Sequence, residues 1–108
     1  MYVVSLKRTG IPESKDSKRM MTYVDLLRLA LEHRPEQGFV LSEMRARMRI
    51  LDKIDALKPD PENATELVLE DADFEKLKYC VAQAKWGFIH RDLVQFGTDV
   101  EGSPKRKD

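Results

Sequence analysis

The sequence predicts an α+β fold, an α-rich single domain of about four helices with a small sheet of two or three strands. Apolar residues recur at helical spacing in four stretches, which are 23–34, 42–57, 71–86 and 89–101. Three shorter apolar runs, at 2–6, 39–41 and 67–69, have the length and composition of strands. Two of these runs directly precede a helix, so we expect the helices to pack around the sheet.

Local signals mark the ends of the first two helices. Thr22 is a suitable N-cap, and Asp25 follows it at the spacing of a capping box. Pro35 cannot continue a helix and therefore ends the first one. Ser42 is expected to cap the second helix, and Gly38 turns the chain between them.

The third and fourth helices have simpler boundaries. The acidic residues Glu70 and Asp71 favour a helix start, because negative charge stabilises the N-terminal end of the helix dipole. Gly87 suits a helix C-terminus, so we expect the third helix to end there. The fourth helix is expected to begin near Ile89 and to end at Gly102.

Length and composition indicate one small domain. The chain has 108 residues, of which 42% are apolar and 35% charged, which leaves room for one modest core. We expect a globular domain at 1–101 that includes a flexible polar arm at 7–21. The basic stretch at 102–108 is expected to be a disordered tail.

The compartment follows from cysteine usage and hydropathy. Cys80 is the only cysteine, so no intramolecular disulfide can form, which is typical of a reducing compartment. The chain lacks a run of about 18 apolar residues and the pattern of a signal peptide. We therefore expect a cytoplasmic protein without a membrane partner.

Charge is unevenly distributed although the net charge is zero. Residues 1–22 carry five bases and two acids, whereas residues 59–75 carry seven acids and no base. An acidic region of one molecule could therefore meet a basic region of another, and zero net charge permits such self-association.

An arginine interrupts the apolar face of the second predicted helix. At about 100° per residue, Met44, Met48 and Leu51 share one arc with other apolar residues, and Arg47 lies inside it. The two methionines are expected in the core. Arg47 could pair with an acid of the third helix, Asp73 or Glu75. It could instead extend to water, or mark a face that a partner covers.

The opposite side of this helix carries a basic row. Arg45, Arg49 and Lys53 are spaced four residues apart, so their side chains project together. Such a row could bind nucleic-acid phosphates, or it could be a solvated helix face. Asp52 lies within the row and Glu43 precedes it, which weakens the phosphate-binding interpretation.

No catalytic or metal-binding set is evident. Cys80 with His33 or His90 could form a nucleophile–base pair, but Cys80 lies on the apolar side of its helix, where a free cysteine is a core residue. Residues 90–93 match the start of a kinase catalytic loop, but Gly97 occupies the position of the required asparagine. We expect no enzyme activity, no metal, no cofactor and no small-molecule substrate.

Three phrases of the chain, at 21–27, 41–45 and 69–74, resemble the small accessory proteins of bacteriophages and prophages. The resemblance implies a small cytoplasmic protein that binds another macromolecule. We therefore expect a protein–protein interaction module, self-associating or regulatory, with Arg45, Arg47, Arg49 and Lys53 as its interaction residues. The alternative is a nucleic-acid-binding protein that uses the basic row and the basic arms.

Overall fold

The computed structural model describes residues 1–13, 18–57 and 66–106. The strands are β1 (Tyr2–Ser5), β2 (Arg8–Pro12), β3 (Met20–Thr22) and β4 (Glu66–Leu69). The helices are α1 (Tyr23–Glu32), α2 (Leu41–Asp55), α3 (Asp71–Gln83) and α4 (Arg91–Glu101). The predicted α+β class is confirmed, with the strands divided between two small antiparallel sheets.

The first sheet pairs β1 with β4. Tyr2 faces Leu69 and Val4 faces Leu67 across it, so alternate residues of both strands enter the core. Val4, Leu67 and Leu69 are almost completely buried. Both strands were expected from their apolar composition, and their pairing joins the start of the described chain to its middle.

The second sheet lies within the segment 7–21, which was predicted to be a flexible polar arm, and it corrects that prediction. β2 pairs antiparallel with β3, with Arg8 opposite Thr22 and Pro12 opposite Met20. Within it the Thr9 hydroxyl donates to the Met21 carbonyl at 2.7 Å. The sequence did not predict these strands, because their side chains are mostly polar. The contacts that join the strands are made by backbone groups and one hydroxyl. Residues 14–17 of the predicted arm lie outside the described residues.

The basic tail is also structured where it is described, at 102–106. Val3 donates its backbone N–H to the Pro104 carbonyl at 3.0 Å, and Arg106 donates to the Met1 carbonyl at 2.7 Å. Ser103 is buried. The tail thus covers the edge of β1 that β4 leaves open, which satisfies backbone groups an edge strand would expose.

The core lies where α1 meets α2 and α3. α1 buries one face of its cylinder, as its apolar spacing predicts. α4 packs on α3 and on β1 and β2, and it closes the core with Phe96 and Val100. Phe96 meets the Tyr23 ring edge-on at 5.1 Å between centroids, an arrangement that aromatic quadrupoles favour.

The capping box of α1 is present as predicted. The Thr22 hydroxyl accepts the Asp25 N–H, and the Asp25 carboxylate accepts the Thr22 N–H at 2.8 Å. α2 differs from the expectation, because it begins at Leu41 with Val40 as N-cap and without a side-chain cap. Ser42 is therefore inside the helix, and the strand predicted at 39–41 does not form.

The link between α3 and α4 is longer than predicted. α3 ends at Gln83 with Ala84 as C-cap, so Gly87 lies in the link. α4 begins at Arg91, because the His90 Nδ1 atom accepts the Asp92 N–H at 3.0 Å and caps the helix. The link leaves Ile89 98% exposed, although its spacing had placed it on the helix.

Candidate functional site

The exposed part of α2 and the residue before it carry large apolar side chains. Val40, Leu41, Met44 and Met48 have exposed fractions between 43% and 68%. We call these four residues the α2 apolar face. They lie within about one third of the helix circumference, since residues four and eight positions apart fall on nearly the same side. The expectation that Met44 and Met48 are core residues is wrong.

The predicted apolar arc of α2 is in fact divided in two. Ile50, Leu51 and Ile54 are buried, whereas the methionines beside them reach solvent. The arc is wider than the surface that the rest of the fold covers, so Met44 and Met48 stay about half exposed.

Beside this face lies a shallow groove of about 440 Å³. It is lined by Leu41, Met44, Arg45, Met48, Arg49 and Asp52. The groove therefore combines an apolar floor with charges of both signs along one border. Such a surface suits a macromolecular partner better than a small polar substrate.

Arg47 lies in the buried half of the arc, and its charge is compensated inside the fold. Its Nη1 atom donates to the carbonyls of Leu31 at 3.0 Å and His33 at 3.2 Å. Its Nε atom pairs with Glu43 at 3.1 Å, and its guanidinium lies over the Phe39 ring. The predicted pairing with Asp73 or Glu75 is wrong, because the C-terminal end of α1 lies closer.

Glu43 connects this arrangement to α3. It also accepts from the Lys76 ammonium at 2.8 Å, so one carboxylate serves two cations on two helices. The Lys76 hydrogen bond, with a further contribution from Arg47, holds the pKa of Glu43 below its usual value. Arg47 therefore stabilises the junction of α1, α2 and α3, and it is the one buried residue of the four predicted interaction residues.

The other three predicted interaction residues are exposed, as expected. Arg49 contacts Asp73 of α3 at 3.4 Å, so part of its charge is already matched. Arg45 and Lys53 form no ion pair with any residue in the described ranges, and the same holds for Asp52. The groove border thus holds an unpaired base and an unpaired acid two helical turns apart.

Of the three candidate catalytic residues, the structure brings only Cys80 and His33 to one cleft. Cys80 is buried, and burial raises the pKa of its thiol, which disfavours the reactive thiolate. His33 and Cys80 line one cleft of about 340 Å³, whereas His90 caps α4 and does not line it. Among the described residues, no three His, Cys, Asp or Glu side chains are placed to hold a metal.

Comparison of the chain with protein-family models, curated proteins and solved structures finds no match. The resemblance to phage accessory proteins therefore stays a prediction. Within the described ranges, no helix has the length and hydropathy that crossing a membrane requires.

Sequence reasoning missed the exposure of the α2 apolar face, and it did not predict that Arg47 would be buried and hydrogen-bonded to the end of α1. Periodicity identified the apolar arc, but it does not show which half the other helices cover. A usable signal was present in Val40 and Leu41, since two large apolar residues next to a helix start extend the arc beyond what a small core can bury.

Proposed function

We propose that this protein is a protein–protein interaction module that binds a second copy of itself through the α2 apolar face. The supporting observation is the exposure of four large apolar side chains on one side of one helix. Contiguous exposed apolar surface of this kind marks interaction sites. A partner that covered it would remove this surface from water and gain roughly 25 cal/mol per Å² buried.

Charge complementarity favours a second copy as that partner. Arg45 and Asp52 border the same groove, three residues before and four residues after Met48. In an antiparallel pair of α2 helices whose two-fold axis passes between Met48 and Arg49, Arg45 of one copy faces Asp52 of the other. The two-fold axis repeats the contact, so a single arrangement forms two ion pairs.

This interface is small, so the dimer is expected to be weak. One helix face buries less than the roughly 1,200 Å² of stable complexes. Zero net charge opposes association less than a large charge of one sign would. We expect a reversible dimer that forms at micromolar or higher protein concentration.

Two charge reversals test the proposed geometry. Arg45→Asp places two acids opposite each other, and Asp52→Arg places two bases opposite each other, so each variant alone should be monomeric. Mixed in equal amounts they should form a heterodimer, because one ion pair is then restored as in the wild type and the other with inverted sign. Sedimentation equilibrium of each variant and of the mixture measures this directly, and Lys53→Glu, an exposed reversal on the same helix, is the control.

A wild-type chain that stays monomeric at millimolar concentration would refute self-association. A wild-type dimer that both single variants retain would refute this interface while leaving self-association in place. A mixture that stays monomeric would show that Arg45 and Asp52 do not face each other.

A nucleic-acid interface is the second candidate, and the exposed row of Arg45, Arg49 and Lys53 favours it. Asp52 within the row and the Arg49–Asp73 ion pair weaken its attraction for phosphates. Titration of labelled duplex and single-stranded DNA at low salt tests it. Affinity that falls steeply with salt and with Arg45→Ala plus Arg49→Ala would establish this alternative.

A further inference from the structure

A groove runs along the C-terminal ends of α1 and α3, away from the α2 apolar face. One part, of about 340 Å³, is lined by residues that include Arg34, Arg47 and Cys80. A second part, of about 220 Å³, is lined by residues that include Leu29 and Trp86. His33, Ala84 and Lys85 line both parts, so the two adjoin. We call them together the α1–α3 groove.

One end of this groove is cationic. Arg34, Arg47 and Lys85 line it, against the single acid Glu36. Arg34 and Lys85 are exposed and form no ion pair with another residue that the structure describes. Because Glu43 already matches Arg47, the excess at this end is that of Arg34 and Lys85 over Glu36, and such an excess attracts an anion.

The buried arginine supplies a fixed donor at this end. Glu43 and two backbone carbonyls hold the Nε and Nη1 atoms of Arg47. The Nη2 atom has no hydrogen-bond partner among the described residues. No fully buried side-chain nitrogen or oxygen in the described chain lacks a partner, so Nη2 must reach solvent. A guanidinium held from behind with a free donor is preorganised for a carboxylate.

The other end is apolar. Leu29 and Phe88 line it and remain 46% and 42% exposed, and Trp86 lies between them and the core, edge-on to Phe96. Exposed aromatic and aliphatic side chains around a concavity suit an apolar ligand body. The groove therefore joins an anion-attracting end to an apolar end.

We propose that the α1–α3 groove binds a small organic acid, a carboxylate with an aryl or alkyl body. The carboxylate would accept hydrogen bonds from Arg47 Nη2 and face Arg34 and Lys85, while the body packs on Leu29, Trp86 and Phe88. The volume lies in the range of small-ligand sites, about 300–1,000 Å³. This site is independent of the α2 apolar face, so either proposal can fail alone.

The chain carries its own reporter for this site. Trp86 is the only tryptophan and lines the apolar end, so its fluorescence should change when a ligand body packs on it. The probe is 4-phenylbutyrate, titrated into the full chain, with the neutral 4-phenylbutyramide as matched control. We expect saturable binding of the acid and at least about tenfold weaker binding of the amide.

Variants test the cationic end. Arg34→Gln and Lys85→Gln change exposed residues, so the fold should persist, and each should weaken 4-phenylbutyrate binding roughly two- to fivefold. Lys53→Gln, on α2, should leave binding unchanged.

Equal affinity for the acid and the amide would overturn the proposal, because the cationic end would then have no role. Unchanged binding in both Arg34→Gln and Lys85→Gln, or no saturable fluorescence change at all, would also overturn it. Circular dichroism first checks that Arg47→Lys keeps the native fold. Loss of 4-phenylbutyrate binding in that folded variant supports Arg47 Nη2 as the donor to the carboxylate.

Discussion

Arg47 donates a hydrogen bond from Nη1 to the Leu31 carbonyl at 3.0 Å, so a charged side chain of α2 satisfies the C-terminal end of α1. The last carbonyls of a helix have no partner within the helix, and they carry its negative dipole end. A guanidinium placed there donates hydrogen bonds to these carbonyls, and its positive charge interacts favourably with the dipole. The charge on the apolar face of α2 is therefore a structural connection between helices.

Replacing Arg47 with methionine should destabilise the fold by about 2–4 kcal/mol, because two buried carbonyls lose their donor and Glu43 loses one of its two cations. Urea denaturation measures the free energy of unfolding. Arg45→Met is the matched control on the same helix, and its exposed side chain predicts a change within about 0.5 kcal/mol. Equal effects of the two substitutions would contradict the role assigned to Arg47.

Replacing Glu43 with glutamine should reduce stability by about 1–2 kcal/mol at neutral pH, and the deficit should shrink in acid. The folded-state pKa of Glu43 lies below its ordinary value of 4.5, so its contribution is present above that pH and is lost as pH falls through the folded-state pKa. Denaturation curves at neutral and acidic pH test this. Glu75→Gln, whose side chain is 61% exposed, should show neither effect.

Removing the Tyr23 hydroxyl should lower stability by about 1–2 kcal/mol at neutral pH. This buried hydroxyl donates to Asp99 at 2.6 Å and is the main cause that lowers the pKa of Asp99. The deficit of Tyr23→Phe should therefore narrow as pH falls below the ordinary Asp99 value of 3.8 and through the lower folded-state pKa, where the folded carboxylate becomes protonated. Tyr79→Phe, on an exposed ring, serves as control. A deficit that does not change with pH would argue against the Asp99 contact.

The two hydroxyl residues expected to cap helices should respond differently to alanine. Thr22→Ala removes an observed capping interaction and should destabilise the fold by about 1 kcal/mol. Ser42→Ala should change stability by less than about 0.5 kcal/mol, because Val40 occupies the N-cap position of α2. Thermal denaturation compares the stability of the two variants. A larger loss of stability for Ser42→Ala than for Thr22→Ala would mean that Ser42, as the sequence predicted, caps α2.

Removing residues 103–108 should destabilise the domain by about 1–3 kcal/mol, because β1 loses the backbone hydrogen bonds of the tail and Ser103 leaves a buried position. Hydrogen exchange at the Val3 amide reports the effect locally. Lys105→Gln retains the backbone contacts and removes the exposed ion pair with Asp71 and the contact of the ammonium with the Tyr2 ring, so it should be nearly neutral. Unchanged Val3 protection in the shortened chain would mean that the tail does not hold β1.

The elements that could be predicted are those with local causes. The α1 capping box needs only Thr22 and Asp25, and the apolar spacing of α1 and α3 depends on residues within each helix. The paired strands β2 and β3 could not be predicted, because their hydrogen bonds join backbone groups whose side chains carry no strand pattern. The position of the tail beside β1 could not be predicted for the same reason, because backbone groups form its hydrogen bonds.

The candidate site was predicted only in outline. The sequence shows that Arg47 needs a partner, but backbone carbonyls have no residue-type signature, so acids were expected instead. Met44 and Met48 share an arc with Leu51, and the placement of α1 and α3 alone decides which of them is buried. The α1–α3 groove depends on where two helices end side by side, which no local pattern encodes.

The position of β1 has a consequence for how the chain matures during synthesis. A ribosome releases Val3 and Val4 before the strand that pairs with them, which contains Leu67, and before the segment on their other side, which contains Pro104. Until both emerge, β1 is an unpaired apolar strand, which can associate with other nascent chains. β1 therefore reaches its final place only after about a hundred further residues have been translated.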